Sequence, residues 1–325
     1  MRTIGVVACY ALVIVLTLLV PVSAQVSDFT TIDVPGASST LPRGINAAGD
    51  IVGFYGVGGA FHAFLLHEGT FTDIDVPGAA FTRPRSINPQ GDVVGFYGTG
   101  SVSHGFLLLE GSFTTIDVPG ASSTQAYGIN PRGDIVGLYR AGGATHGFLL
   151  HKGTFTTIDV PGASSTSALG INPRGDIVGQ YSAGGTTHGF LLHEGTFTTI
   201  DVPGASSTQP SAINPRGDIV GQYSAGGTTH GFLLDKDGSF TSIDVPGASS
   251  SAALSINPQG DIVGQYSVGG TTHGFLARSC RVTVDRRGTG AVHPFVDGER
   301  TLTCQLSVQP DPGSAPLAPD RPARS

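Results

Sequence analysis

Gly195-Thr196-Phe197-Thr198-Thr199-Ile200-Asp201-Val202-Pro203-Gly204-Ala205 is the stretch whose reading decides the architecture. Its Ile-Asp-Val-Pro-Gly-Ala core starts at Ile32, Ile74, Ile116, Ile158, Ile200 and Ile243, in steps of 42, 42, 42, 42 and 43 residues. A fixed period of that size marks a repeat architecture.

Working outward through the fourth cycle gives the content of one period. Ser167 to Asn172 reads as a short strand, and Pro173-Arg174-Gly175 as a tight turn, since Pro presets φ and Gly permits φ > 0. Asp176 to Tyr181 is a second strand, Ser182 to Thr186 a flexible loop, and Thr187 to Leu192 a third strand. After the His193-Glu194-Gly195 turn, Thr196 to Val202 is a fourth strand, stopped by Pro203-Gly204. Turn-length connections force antiparallel neighbours. The extra residue of the fifth cycle falls in Asp235-Lys236-Asp237-Gly238, at a hairpin tip, where an insertion leaves strand facing intact.

Four antiparallel strands in about 42 residues make one blade of a β-propeller. A lone blade cannot hide both apolar faces, so blades stack around an axis. The second-strand glycines Gly53, Gly95, Gly137, Gly179, Gly221 and Gly264 suit close packing of sheets. The array begins with a spare fourth-type strand, Phe29 to Val34, and ends at His273-Gly274-Phe275-Leu276 without one. The expected fold is therefore an all-β, six-bladed β-propeller of four-stranded antiparallel blades, closed by the N-terminal strand, which leaves no open edge.

Residues 1–24 read as a signal peptide: Arg2, an apolar run from Ile4 to Val20, and the small-residue site Val22-Ser23-Ala24. The alternative is an uncleaved anchor, because the run is close to spanning length. After cleavage no membrane span is expected. The propeller would occupy 25–279, a small β-hairpin extension 280–308, and a disordered, Pro-rich tail 309–325. Cys9 leaves with the signal, so Cys280 and Cys304 remain as an even pair in an oxidising compartment. A disulfide between them is expected, contributing on the order of 3 kcal/mol.

The chain has 325 residues, 49 of them Gly, with 39% hydrophobic residues, 13% charged residues and a net charge of −7. No basic surface for nucleic acid stands out. The pattern Gly-Ile-Asn-x-x-Gly-Asp-Ile-Val-Gly, a spacer, then His-Ala/Gly-Phe-Leu-Leu resembles the HAF family of extracellular bacterial repeats over residues 28–277. The naming triplet is kept at His62-Ala63-Phe64, and the other copies hold glycine in its middle. The resemblance implies export and a repeat fold. It implies no reaction and no ligand.

Candidate sites come from residues that recur once per blade. His62, His104, His146, His188, His230 and His273 are separated by whole sheets, and metal ligands must converge, so hydrogen-bonded tethers are the reading and no metal or cofactor is expected. The Asp201-type carboxylates before Pro-Gly read as turn caps. Arg132-Gly133-Asp134, Arg174-Gly175-Asp176 and Arg216-Gly217-Asp218 spell an adhesion tripeptide, yet the turn needs only Gly-Asp. Tyr55, Tyr97, Tyr139, Tyr181, Tyr223 and Tyr266 are the candidates for stacking on a sugar or packing a peptide, with blade-to-blade core as the competing role.

Catalysis gathers different residue types in one place, whereas Ile171 to Leu192 and Ile213 to Leu234 are identical. The expectation is an exported, monomeric protein, not an enzyme, acting as a binding or scaffolding module for an extracellular carbohydrate or protein. Two alternatives stay open. A hydrolase or lyase acting on an extracellular polymer needs a unique acidic or basic cluster on one face, and none is visible in the linear sequence. A structural envelope or matrix protein would bind nothing saturably.

Overall fold

The punctuation of the repeat is translated directly into strands. In the first blade these are Ser39–Ile45, Ile51–Val57, Ala60–His67 and Thr70–Asp73, hydrogen-bonded in that order. The computed structural model describes residues 26–279 and four short strands beyond them, Val282–Val284, Gly290–Val292, Val296–Asp297 and Arg300–Thr301. The signal segment, Cys280, Cys304 and the tail at 309–325 lie outside the described residues. Past the propeller, Val282–Val284 pairs with Gly290–Val292, and Val296–Asp297 with Arg300–Thr301.

Among the described residues, six four-stranded antiparallel sheets form a six-bladed β-propeller. Five blades are continuous in sequence. The sixth joins Ser250–Ile256, Ile262–Val268 and Thr271–Ser279 to the N-terminal strand Val26–Ile32. Phe29 faces Ala277 in that pairing, and its ring meets Phe275 edge-on at 5.4 Å. The circle is closed by the strand that the sequence left spare.

Turn chemistry holds each blade in register. Glu194 and Gly195 both have positive φ, 48° and 79°, the type I′ geometry whose twist matches a hairpin. In the fifth blade the extra residue is absorbed at the tip, where Asp235 Oδ1 accepts from the Asp237 and Ser239 amides at 2.9 Å. Phe232 then faces Ser242 just as Phe190 faces Thr199 one blade earlier.

The core lies between blades. Val136 and Ile158 of the third blade pack with Ala168, Ile171, Ile177 and Phe190 of the fourth. The same arrangement carries Val263 and Ile32 of the sixth blade onto Ile45, Ile51 and Phe64 of the first. Phe64, Phe106, Phe148, Phe190 and Phe275 are fully buried and Phe232 nearly so. Each of these rings fills the space beside a second-strand glycine. A Cβ on Gly53 would lie 2.8 Å from both Phe64 Cζ and Pro42 Cα, and would also run into the Leu41 carbonyl. Gly53→Ala should therefore lower unfolding free energy by about 1–3 kcal/mol in denaturant titrations. Deleting residues 26–33 should expose the third strand of the sixth blade, and size-exclusion chromatography should then show association or aggregation.

Candidate anion site in the propeller channel

The first strand of each blade lies beside the first strands of both neighbours, so the six surround the axis. Along Ser39–Ile45 burial alternates: Thr40, Pro42 and Gly44 are buried between blades, while Leu41 and Arg43 face the channel. At these third and fifth positions the other blades hold Arg83 and Arg85, Gln125 and Tyr127, Ser167 and Leu169, Gln209 and Ser211, and Ala252 and Leu254. The second strands add Phe54, Phe96, Leu138, Gln180, Gln222 and Gln265, opposite the third positions in register. The repeat is nearly perfect in its cores and breaks down on this wall.

The breakdown is organised. Arg43, Arg83 and Arg85 converge on the arc of blades one to three and sit on aromatic faces. Arg43 lies 5.1 Å from the Phe54 ring, and Arg83 lies 5.3 Å from Phe54, 5.3 Å from Phe61 and 5.0 Å from Phe81. Arg85 lies 5.0 Å from Phe96 and 4.8 Å from Tyr127. These are cation–π distances. Among the described residues these three guanidinium groups have no carboxylate partner, whereas Arg132, Arg174, Arg216 and Lys236 pair with Asp134, Asp176, Asp218 and Asp237 on outer turns. Burial, with Arg85 and Arg83 as like-charged neighbours, pushes the Arg43 guanidinium well below its ordinary pKa, and burial lowers Arg85 too.

Among the described residues, the buried side-chain polar atoms without a hydrogen-bond partner are Nε of Arg43, Arg83 and Arg85 and Oε1 of Gln265. All belong to the channel wall. Unpaired buried donors of this kind are costly. Three of them, each beside aromatic rings, lie on one arc of the wall, an arrangement suited to an anion.

The opposite mouth is uniform. Ile45, Ile87, Ile129, Ile171, Ile213 and Ile256, with neighbouring Asn and Pro residues, ring a small recess. Asn46 Oδ1 accepts from the Ala48 and Asp50 amides, and its Nδ2 donates to Asp50 Oδ2 at 2.8 Å. The arginine of each Arg-Gly-Asp donates to its own aspartate, as Arg174 Nε does to Asp176 Oδ2 at 3.0 Å, and Arg174 Nη1 reaches Pro215 O of the next blade. The tripeptide is tied within the turn and across blades.

The six tyrosines stay apart, one per blade. Tyr181 lies against the His188 ring with centroids 5.3 Å apart, and its hydroxyl meets Thr199 Oγ1 at 3.0 Å. Tyr97, Tyr139, Tyr223 and Tyr266 repeat this with Thr115, Thr157, Ser242 and Thr31. Tyr55 donates to Asp73 instead, and burial together with that bond pushes its hydroxyl up to about 12. Each repeated histidine donates from Nδ1 to the Asp of the Ile-Asp-Val core, His188 to Asp201 at 2.8 Å. The turn-cap reading of Asp201 is corrected here. The carboxylate points back to the third strand, and the turn is held by Thr208 Oγ1, which accepts from Val202 N at 3.0 Å.

No family model matches this chain, and no curated protein does. Solved propellers do. It is similar to TolB from Acinetobacter baumannii (13% identity, 67% of this chain and 59% of that one, TM-score 0.52). It is similar to virginiamycin B lyase from Staphylococcus aureus (12% identity, 77% of this chain and 99% of that one, TM-score 0.48). A gluconolactonase from Xanthomonas campestris is a third (13% identity, 79% of this chain and 97% of that one, TM-score 0.45). At these identities the likeness is one of fold.

The expectation that the chain is not an enzyme does not stand. Lyase and lactonase propellers appear among the similar structures. The premise that no blade differs in a chemically useful way also fails at Arg43, Arg83 and Arg85. Sequence reading missed these three because it sought residues common to all copies. The signal was in register comparison: blades one and two read Gly-Phe-Tyr-Gly in the second strand where blades four to six read Gly-Gln-Tyr-Ser.

Titration separates the outer ties from the channel. His193 Nδ1 meets Asp176 Oδ1 at 2.6 Å, and that hydrogen bond holds the imidazole above its ordinary 6.5. Burial alone would raise the Asp176 carboxyl, but hydrogen bonds from His193, Asn172 and Arg174 outweigh it and leave it below 3.8. The tie is complete between these ordinary values. It weakens as pH falls through the lowered aspartate value or rises through the raised histidine value. NMR titration should place His193 above 6.5, and Asp176→Asn should return it to the ordinary value.

Proposed function

We propose that this protein is an exported, HAF-type propeller whose ligand site is the channel, and that it captures an anion through Arg43, Arg83 and Arg85. The observation that carries this reading is the set of three channel arginines whose Nε atoms are buried and lack any partner. Export is supported by the charged, apolar and small-residue order of residues 1–24. No helix among the described residues is long and apolar enough to cross a membrane.

Binding rests on the arginines rather than the tyrosines because of what is left unsatisfied. The tyrosine hydroxyls already have partners and their rings rest on histidines. The arginines have ring faces on one side and nothing to accept their protons. An incoming carboxylate, phosphate or sulfate would meet the Nη nitrogens, which stay exposed, beside the buried Nε atoms, where charge-assisted hydrogen bonds are strong.

Isothermal titration of the full chain with inorganic phosphate tests the reading. Saturable binding that weakens with added salt is expected. Arg43→Leu and Arg85→Leu use the residue that Leu169 and Leu254 supply at the same register, so folding is preserved, and each should weaken binding about 10- to 100-fold. Arg132→Ala, on the outer turn, should leave binding unchanged. Equal affinity in wild type and Arg85→Leu would overturn the proposal.

A further inference from the structure

Resting on the channel as an anion site, we infer that its ligand is a small polyanion, a molecule bearing two or three acid groups (carboxylate or phosphate) that Arg43, Arg83 and Arg85 take together. The three side chains form one connected cluster. Arg43 and Arg83 lie over the same Phe54 ring, at 5.1 and 5.3 Å from its centroid. Arg83 also covers Phe81 at 5.0 Å, Phe81 meets Phe96 edge-on at 6.2 Å, and Arg85 covers Phe96 at 5.0 Å. Each guanidinium thus shares a ring, or a pair of touching rings, with the next. Burial lowers the Arg43 and Arg85 pKa values first. Like charge adds to it, from Arg85 and Arg83 at Arg43 and from Arg83 at Arg85, so the groups are close enough to repel one another.

The wall offers these charges nothing in return. The first-strand positions that face the channel, and the second-strand positions opposite them, hold no Asp or Glu in any of the six blades. A single acid group seated there would neutralise one guanidinium and leave the other two repelling. Each further acid group removes repulsion as well as making its own charge-assisted hydrogen bonds. With Nε buried, each arginine presents its exposed Nη nitrogens, one fork for one acid group.

The strands set the spread and the size. Arg83 and Arg85 stand two residues apart on Phe81–Ile87 and face the same side, so their backbone origins are about 7 Å apart. Arg43 stands at the register of Arg85 on the neighbouring first strand, Ser39–Ile45. Acid groups on one short backbone suit that spread. At the far end of the first strands, six buried isoleucines line a single small recess. A polymer threaded along the axis would have to pass that constriction, so a small molecule is the occupant.

The experiment is isothermal titration of the full chain with two series at fixed ionic strength. One is acetate, succinate and tricarballylate; the other is inorganic phosphate, pyrophosphate and triphosphate. Affinity should rise roughly 10-fold or more with each added acid group, up to three. A rise in either series supports the inference, and the steeper series names the acid. Arg43→Leu combined with Arg85→Leu takes the residue that Leu169 and Leu254 supply at this register. It should flatten both series while cooperative thermal unfolding is retained. Arg83→Gln, with the residue of Gln125 and Gln209 at its register, should remove one step of the rise. An equal rise in the double variant would assign it to general charge attraction and overturn the inference. A flat series in the wild type, with phosphate still bound and still dependent on Arg85, overturns the polyanion and spares the anion site. No binding by any member overturns the anion reading itself. Long-chain polyphosphate bound where triphosphate is not overturns the small-molecule occupant.

Discussion

The close approach of one blade to the next is the constraint on which the structure depends. A four-stranded sheet has two apolar faces and no second layer of its own. Here each face is covered by the neighbouring copy, through Val, Ile and Phe contributed in fixed positions. The fit is tight enough that the second strand has no room for a side chain beside the phenyl ring of the third. A circle of such contacts has no terminal member, provided that its last sheet receives a fourth strand. Val26–Ile32 supplies it, and Ile32 also enters the cluster shared with the first blade. The closing strand is therefore part of the core as well as an edge cover.

Such packing explains where the copies are free to differ. Residues between blades are fixed by volume on both sides. Residues on outer turns are fixed by hydrogen bonds, such as the Asn-x-x-Gly-Asp turn that binds its own carboxylate. The channel wall is free of the repeated restraints, because side chains there point toward the axis and not into the next blade's core. That is where blades one and two carry Arg43, Arg83 and Arg85. Buried Nε donors without a partner carry a desolvation cost, offset in part by the aromatic faces. Under the proposed function, a bound anion would offset that cost, and occupancy and stability would be coupled quantities.

Much of this was legible in the chain itself. The period, the four-strand cycle and the spare N-terminal strand all follow from local punctuation by Pro, Gly and Asn, and the structure joins them as that punctuation implies. The residue roles were less legible. Asp201 stands next to a Pro-Gly turn, which suggested a cap, yet its direction is set by the strand rather than by its neighbour. The arginines were hidden for a different reason. Arg83 and Arg85 look like ordinary charged residues in an exposed strand until six first strands are placed around one axis. The channel is a property of closure, and no single repeat contains it.

The departures in blades one and two also depend on one another physically. Phe81 occupies the space that a Cβ on Gly98 would need. Blades three to six have serine or arginine at that second-strand position. Phe96, in turn, stacks on Tyr127 with ring centroids 6.0 Å apart, and Arg85 lies over both. Changing one of these residues toward the common pattern would clash with, or uncover, another. A set of substitutions that is mutually required, that spans adjacent blades, and that leaves buried Nε donors without a partner is what the proposed binding site requires. Independent surface variation would leave each residue compatible with the common pattern at its neighbours, and Gly98 beside Phe81 is not.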